Sequence, residues 1–154
     1  MYNIVAAGAA ELGAGVTIVT EYLAAIGDPI VAHVVREEVK RHIREPRHAL
    51  LLAHLDSEVA GCVEVHPLDQ PEHYEIKRLY VRSAFRRRGI AQDLMRAAEI
   101  FAQECGGTAI YLDTKSRMRE AIALYQTLGY EPVAPYHTTP FADVFMCRHL
   151  SEER

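Results

Sequence analysis

Arg86-Arg87-Arg88-Gly89-Ile90-Ala91 places three guanidinium groups and two small residues where a β-type run gives way to a helical one. A helix N-terminus offers unpaired backbone N–H groups and the positive end of the helix dipole, and small residues let an oxyanion approach the backbone. Adjacent arginines add charge-assisted hydrogen bonds. On its own the segment reads either as a phosphate-binding turn or as a solvated basic turn. A Walker loop is excluded because Gly-x-x-x-x-Gly-Lys-Ser/Thr is absent, and Gly8, Gly13 and Gly15 lack the glycine order of a dinucleotide fingerprint.

The elements that position this turn follow from hydrophobic spacing. Residues 2–7 read as a short strand or a loose arm. Leu12, Val16, Val19, Leu23 and Ile26 recur at helical spacing, against which stands a strand at Val16 to Thr20, a β-branched run. Asp28-Pro29 reads as an N-cap followed by a first-turn proline, giving a second helix over Pro29 to Arg44. Ala49 to Leu55 and Val59 to His66 form a hairpin around Asp56-Ser57-Glu58. Tyr74 to Arg82 is a third strand in which simple alternation fails, and a β-bulge near its middle repairs the pattern. A helix from Arg88 to Gly106-Gly107, a strand at Thr108 to Leu112 and a helix from Met118 to Gly129 come next. The last strands fall at Tyr130 to Val133 and Phe141 to Cys147.

The 154 residues correspond to one domain, taken as 1–150, with a fraying tail at 151–154. Apolar residues at 49% and charged residues at 25% are globular values that leave no place for a disordered or fibrous chain. The formal charge of -4 gives no overall attraction to nucleic acid or anionic lipid. Cys62, Cys105 and Cys147 form no C-x-x-C pair, which points to neither a disulfide framework nor a zinc knuckle. The first Lys or Arg is Arg36, and no apolar run reaches the ~18 residues of a membrane span. A soluble cytoplasmic protein with no membrane partner is expected.

Arg86-x-x-Gly89-x-Ala91 matches the Gln/Arg-x-x-Gly-x-Gly/Ala signature of the GNAT superfamily, the acetyl-coenzyme A (acetyl-CoA)-dependent N-acetyltransferases. Lys77-Arg78-Leu79-Tyr80-Val81-Arg82 resembles the family's bulged central strand, and Ala121 to Tyr130 resembles its late helix with the ending Tyr-x-x-x-Gly-aromatic. The resemblance implies an α/β (α+β) single domain: a mixed, mostly antiparallel sheet, flanked by helices and splayed between Leu79 to Val81 and Thr108 to Leu112. It implies that main-chain groups of Leu79, Tyr80 and Val81 bind pantetheine and the acetyl carbonyl. Arg86, Arg87, Arg88, Gly89, Ile90, Ala91 and Gln92 would then hold the pyrophosphate. Many members carry an asparagine seven residues before the tyrosine, where this chain has Met118.

By the same resemblance Tyr125 is the acid that protonates the departing thiolate, and core packing is the alternative for a residue on this stripe. Amine acetylation also needs a base. Glu75, just before the bulge, is the first candidate, with a solvated edge glutamate as the alternative reading; His66, Asp113, Tyr136 and His137 are further candidates. The histidines form no His-x-x-x-His pair, and no metal is expected. The resemblance implies direct attack by a primary amine, of a small molecule or a protein N-terminus, in a ternary complex, and a homodimer is common among such proteins. The competing functions are a non-catalytic acyl-CoA sensor or scaffold and a nucleic-acid binder using Arg82 and Arg86 to Arg88. Net charge and the lack of an aromatic platform weigh against the last.

Overall fold

The computed structural model describes residues 2–30 and 32–151. Its strands are β1 (Tyr2–Ala6), β2 (Ala49–Leu55), β3 (Glu58–Pro67), β4 (His73–Val81), β5 (Ala109–Thr114), β6 (Glu131–Pro132) and β7 (Val144–His149). Its helices are α1 (Leu12–Ala25), α2 (Ala32–Arg44), α3 (Ile90–Glu104) and α4 (Arg119–Thr127). The strands form one sheet in the order β1-β2-β3-β4-β5-β7-β6, antiparallel except for the β4–β5 pair. A parallel pair needs a long crossover, and α3 supplies it. Residues 152–154 of the expected fraying tail lie outside the described residues.

Helices cover both faces of the sheet, which is why Ala49-Leu50-Leu51-Leu52-Ala53 is buried throughout rather than alternating with polar residues. Leu50 and Leu52 pack with Ile18, Val19 and Leu23 of α1 and with Val35 and Val39 of α2. Leu51 and Ala53 face the other way, toward Leu94, Met95 and Ala98 of α3. Each large aliphatic side chain so buried stabilises the fold by roughly 1.5–3 kcal/mol.

β4 carries the expected bulge. Two steps along β3, Cys62 to Glu64, match three along β4, Lys77 to Tyr80, and Arg78 sits at φ +60°. The extra residue inverts the alternation: Tyr74 and Ile76 face the α3 layer before it, Leu79 and Val81 after it, while Tyr80 turns to the α1–α2 layer. β4 and β5 pair only from His73–Ala109 to Glu75–Tyr111. Beyond that point each strand continues without the other, and the sheet opens.

Several boundaries differ from the sequence reading. The second helix starts at Ala32 rather than Pro29, and Val31 lies outside the described residues. Asp28 is not its N-cap: the Asp28 N–H donates to the Leu23 carbonyl at 2.8 Å and Gly27 N–H to Ala24 at 3.2 Å, so both residues close α1, with Gly27 at φ +74°. Pro29 then stands just past a helix end. The final strand begins at Val144 rather than Phe141, because Asp143 turns its carboxylate onto the N–H and Oγ of Ser116 at 2.8 and 2.9 Å. Only Glu131–Pro132 of the expected strand from Tyr130 to Val133 is extended in the sheet. Residues Tyr2–Ala6 form a paired edge strand rather than a loose arm, and Val16 to Thr20 is helical.

A Cβ at Gly61 would lie 2.7 Å from the Tyr80 carbonyl, so the strand carrying the bulge is seated against a residue with no side chain. Gly61→Ala is expected to lower unfolding free energy by about 1–3 kcal/mol in urea titrations, as overpacked interior sites do.

Candidate active site

The opened sheet makes a groove of about 700 Å³. Leu79, Tyr80 and Val81 form one wall, Arg86, Arg87 and Ala91 close the end at the start of α3, and Met118, the N-cap of α4, lines it with Ala121 and Leu124 of that helix. The turn is built by positive φ at Arg87 (+66°) and Gly89 (+79°), the latter being the N-cap of α3. Arg86 Nε donates to the Val81 carbonyl at 2.9 Å, tying the turn to the strand. Arg88 lies over the Phe85 ring, Ile90 is buried, and Gln92 is exposed. Of the residues assigned to the phosphate turn, Arg86, Arg87 and Ala91 therefore line the groove. Gly89 gives the turn its shape and Ile90 anchors it.

A second cavity, of about 250 Å³, adjoins the groove, and Tyr22, Ile26 and Met118 line both. Lys77, Arg78, Asp113 and His137 contribute to its wall. Met118, which stands where many relatives have asparagine, thus sits at the junction of the two spaces.

Behind the second cavity lies a chain of hydrogen-bonded titratable groups. His42 Nδ1 contacts the Glu38 carbonyl at 2.9 Å, His42 Nε2 contacts His66 Nδ1 at 3.2 Å, and His66 Nε2 contacts Glu75 Oε1 at 2.9 Å. Tyr136 donates to Glu75 Oε2 at 2.6 Å, and His137 Nε2 lies 2.6 Å from Asp113 Oδ2 and 3.7 Å from Glu75 Oε2. Burial alone would raise the Glu75 carboxyl, but the hydrogen bonds from His66 and Tyr136 outweigh it and its pKa is lowered. Glu75 is therefore an anion, and the His42–His66 pair has an acceptor at each end. Three contacts then need three N–H hydrogens on two rings, one more than two neutral imidazoles carry. Burial lowers the His42 pKa to about 4.

Glu38 also accepts two bonds from Arg78, each of 3.0 Å. Burial pushes its pKa up, but the two hydrogen bonds and the charge of Arg78 win and hold it at about 2. Glu64, fully buried, is pushed well upward by burial and by the neighbouring Glu38 charge, and neither of its oxygens has a hydrogen-bond partner among the described residues.

Glu75 is only 4% exposed, which overturns the reading of a solvated edge glutamate; it stands behind His137 and Asp113 rather than in the cavity wall. Tyr125 is 7% exposed, packs in the α3-side core and lines neither space. Burial pushes its phenol well above the ordinary range. Glu75, Asp113 and His137 bring three potential ligand atoms within 4.8 Å of one another, a cluster that histidine spacing did not reveal; Tyr136 donates to Glu75 there, and His137 pairs with Asp113 at 2.6 Å. The sequence reading also missed Tyr22, Asp28 and Lys115 in the walls and Glu38, His42 and Glu64 behind them. A lone glutamate amid the apolar run Ala60 to Val65 was the one local sign of that interior.

The sequence model of the acetyltransferase (GNAT) family matches residues 19–130. The chain belongs to this family. It is 31% identical over 137 residues to an uncharacterized N-acetyltransferase of Schizosaccharomyces pombe, covering 85% of this chain and 83% of that one. It is 30% identical over 116 residues to human N-acetyltransferase 8, covering 73% of this chain but only 49% of the human protein. In fold it matches a GNAT-family acetyltransferase from Staphylococcus aureus Mu50 with a TM-score of 0.84 at 16% identity, over 98% of this chain and 100% of that one. It also matches a putative acetyltransferase from Salmonella typhimurium solved with acetyl-CoA, with a TM-score of 0.76 at 17% identity, over 100% and 96%. The protein is an acetyl-CoA-dependent acyltransferase with the mixed, mostly antiparallel open sheet of that family.

His42 gives a pH signature. Its folded pKa of about 4 lies below the ordinary histidine value of 6.5, so its contribution to stability is complete above pH 6.5 and is lost as pH falls toward 4. The stability difference between wild type and His42→Gln is expected to shrink by roughly 2–3 kcal/mol across that window in urea titrations at stepped pH. A constant difference would show that His42 ionises as freely in the fold as outside it.

Proposed function

We propose that the protein transfers the acetyl group of acetyl-CoA to a primary amine of a small molecule, by direct attack with both substrates bound. The observation that carries this reading is the parting of β4 from β5, which leaves backbone of Leu79 to Val81 facing a groove that ends at an arginine-lined helix N-terminus. Unpaired strand groups suit the amides of pantetheine, and the start of α3 with Arg86 and Arg87 suits its phosphates. The adjoining cavity takes the amine.

His137, held by Asp113 and backed by Glu75, accepts the ammonium proton; imidazole is the side chain best suited to that task near neutrality. The amine nitrogen then bonds to the thioester carbonyl carbon, the C–S bond breaks, and the thiolate takes a proton to leave as coenzyme A. The family resemblance gives that proton to Tyr125, whose phenol stays protonated at neutral pH because burial raises its pKa, although its side chain lines neither space. Cys62 and Cys147 are buried, and no cysteine lines either space, which supports direct attack over an acyl-cysteine route. The three free thiols support a reducing compartment such as the cytoplasm. Among the described residues no helix is long and apolar enough to cross a membrane.

Titration calorimetry with acetyl-CoA tests the groove. Gly89→Val forces a β-branched residue into left-handed backbone, a strain of roughly 1–3 kcal/mol that the turn relieves by moving, and the Kd for acetyl-CoA is expected to rise about tenfold or more. A wild-type Kd in a folded variant would remove the turn from the site. In thiol-release kinetics His137→Gln is expected to lower kcat by about 10²–10⁴-fold with the acetyl-CoA Kd unchanged. Tyr125→Phe is expected to lower kcat in the same assay, whereas unchanged turnover would assign Tyr125 to packing alone.

A further inference from the structure

Resting on the acetyl-transfer reading, we propose that the acceptor is a small zwitterion, an amine that also carries an oxyanion, of the size and charge of an amino acid. The cavity beside the groove mixes both signs of charge: Asp28, Lys77, Arg78, Asp113, Lys115 and His137 all contribute to its wall. Part of that charge is already engaged. Arg78 is held by both oxygens of Glu38, and Asp113 faces His137 at 2.6 Å.

What is left over defines the ligand. Lys77 and Lys115 are half-buried, and among the described residues neither has a carboxylate within 4.0 Å; the ammonium of Lys115 lies 6.0 Å from the centre of the Phe141 ring. On the other side of the balance, Asp28 Oδ1 is buried without a hydrogen-bond partner among the described residues. Two ammonium groups without an anion and a carboxylate oxygen without a donor, around one cavity, are matched together by a molecule that brings both a cationic amine and an oxyanion. A polyamine would satisfy Asp28 and set like charge against Lys77 and Lys115. A simple carboxylic acid would satisfy the lysines and supply no nucleophile.

Size points the same way. The space of about 250 Å³ lies below the ~300–1,000 Å³ usual for drug-sized ligands, so it suits a molecule of amino-acid dimensions. Asp28 receives the ammonium, His137 takes its proton, and Lys77 and Lys115 hold the oxyanion.

The test is thiol release from acetyl-CoA with the full chain and matched acceptors: the proteinogenic amino acids, their carboxamides, α-aminoalkylphosphonates and putrescine. At least one amino acid or aminophosphonate is expected to show kcat/KM about tenfold or more above its uncharged-carboxyl counterpart or putrescine, the scale of one charge-assisted hydrogen bond. The better of the two acid series names the oxyanion. Lys77→Met and Lys115→Met are expected to erase that preference through KM while the acetyl-CoA Kd stays unchanged, and Lys77→Arg and Lys115→Arg to restore it. Carboxamides or putrescine turned over as well as the acids, or acetyl-CoA bound with no acid acetylated, would overturn the zwitterion inference alone. Failure of the wild-type chain to bind acetyl-CoA would instead overturn the acetyl-transfer reading beneath it.

Discussion

One residue too many in β4 organises this molecule. Arg78 takes a left-handed conformation at φ +60°, which costs a non-glycine residue about 1–3 kcal/mol. The two bonds from its guanidinium to Glu38, both largely out of solvent, offset that cost and fasten the bulge to α2. Because the insertion reverses which face each later residue occupies, Leu79 and Val81 pack toward α3 while Lys77 stays in the wall of the smaller cavity. Without it, β4 could not line the groove with one end and the smaller cavity with its middle.

The helix ends show how one set of residues answers two demands. α4 stops when Tyr130 N–H donates to the Tyr125 carbonyl at 3.0 Å and Gly129 N–H to Gln126 at 3.0 Å, with the two tyrosine rings 6.1 Å apart. That is the geometry of a helix stop with its apolar clasp, and it accounts for the spacing Tyr-x-x-x-Gly-aromatic without any reference to catalysis. The spacing therefore identifies the fold, and an acid role for Tyr125 has to be decided by kinetics. α1 and α3 end the same way, at Gly27 and at Gly106.

Local signals were legible. Helical stripes, the hairpin turn and the failed alternation at Lys77 and Arg78 each report short-range physics, and the structure has all three, with Glu58 moved from the turn into β3 and the start of the second helix moved to Ala32. Asp28-Pro29 was misread because an acid before a proline satisfies the rules for starting a helix and for leaving one equally well; only the bond to Leu23 separates the two. The smaller cavity was largely hidden, since Asp28, Lys77, Asp113 and His137 come from four separate stretches of chain and meet only when the fold gathers them. The burial of Glu75 was hidden for the same reason, as its partners His66 and Tyr136 lie on β3 and in the loop before β7.

Glu64 has a consequence for the whole interior. Sealed away with no hydrogen-bond partner for either oxygen among the described residues, it has a raised pKa, so folding favours a proton that the unfolded chain releases above about pH 4.5. His42, 3.7 Å away, does the reverse, refusing a proton that the unfolded chain binds below about pH 6.5. Glu64 thus favours the folded state in acid and His42 favours it toward neutrality. Over the interval between those two values their proton demands oppose each other, so the pair softens the response of the fold to acidity there while keeping two ionisable groups side by side in the buried interior.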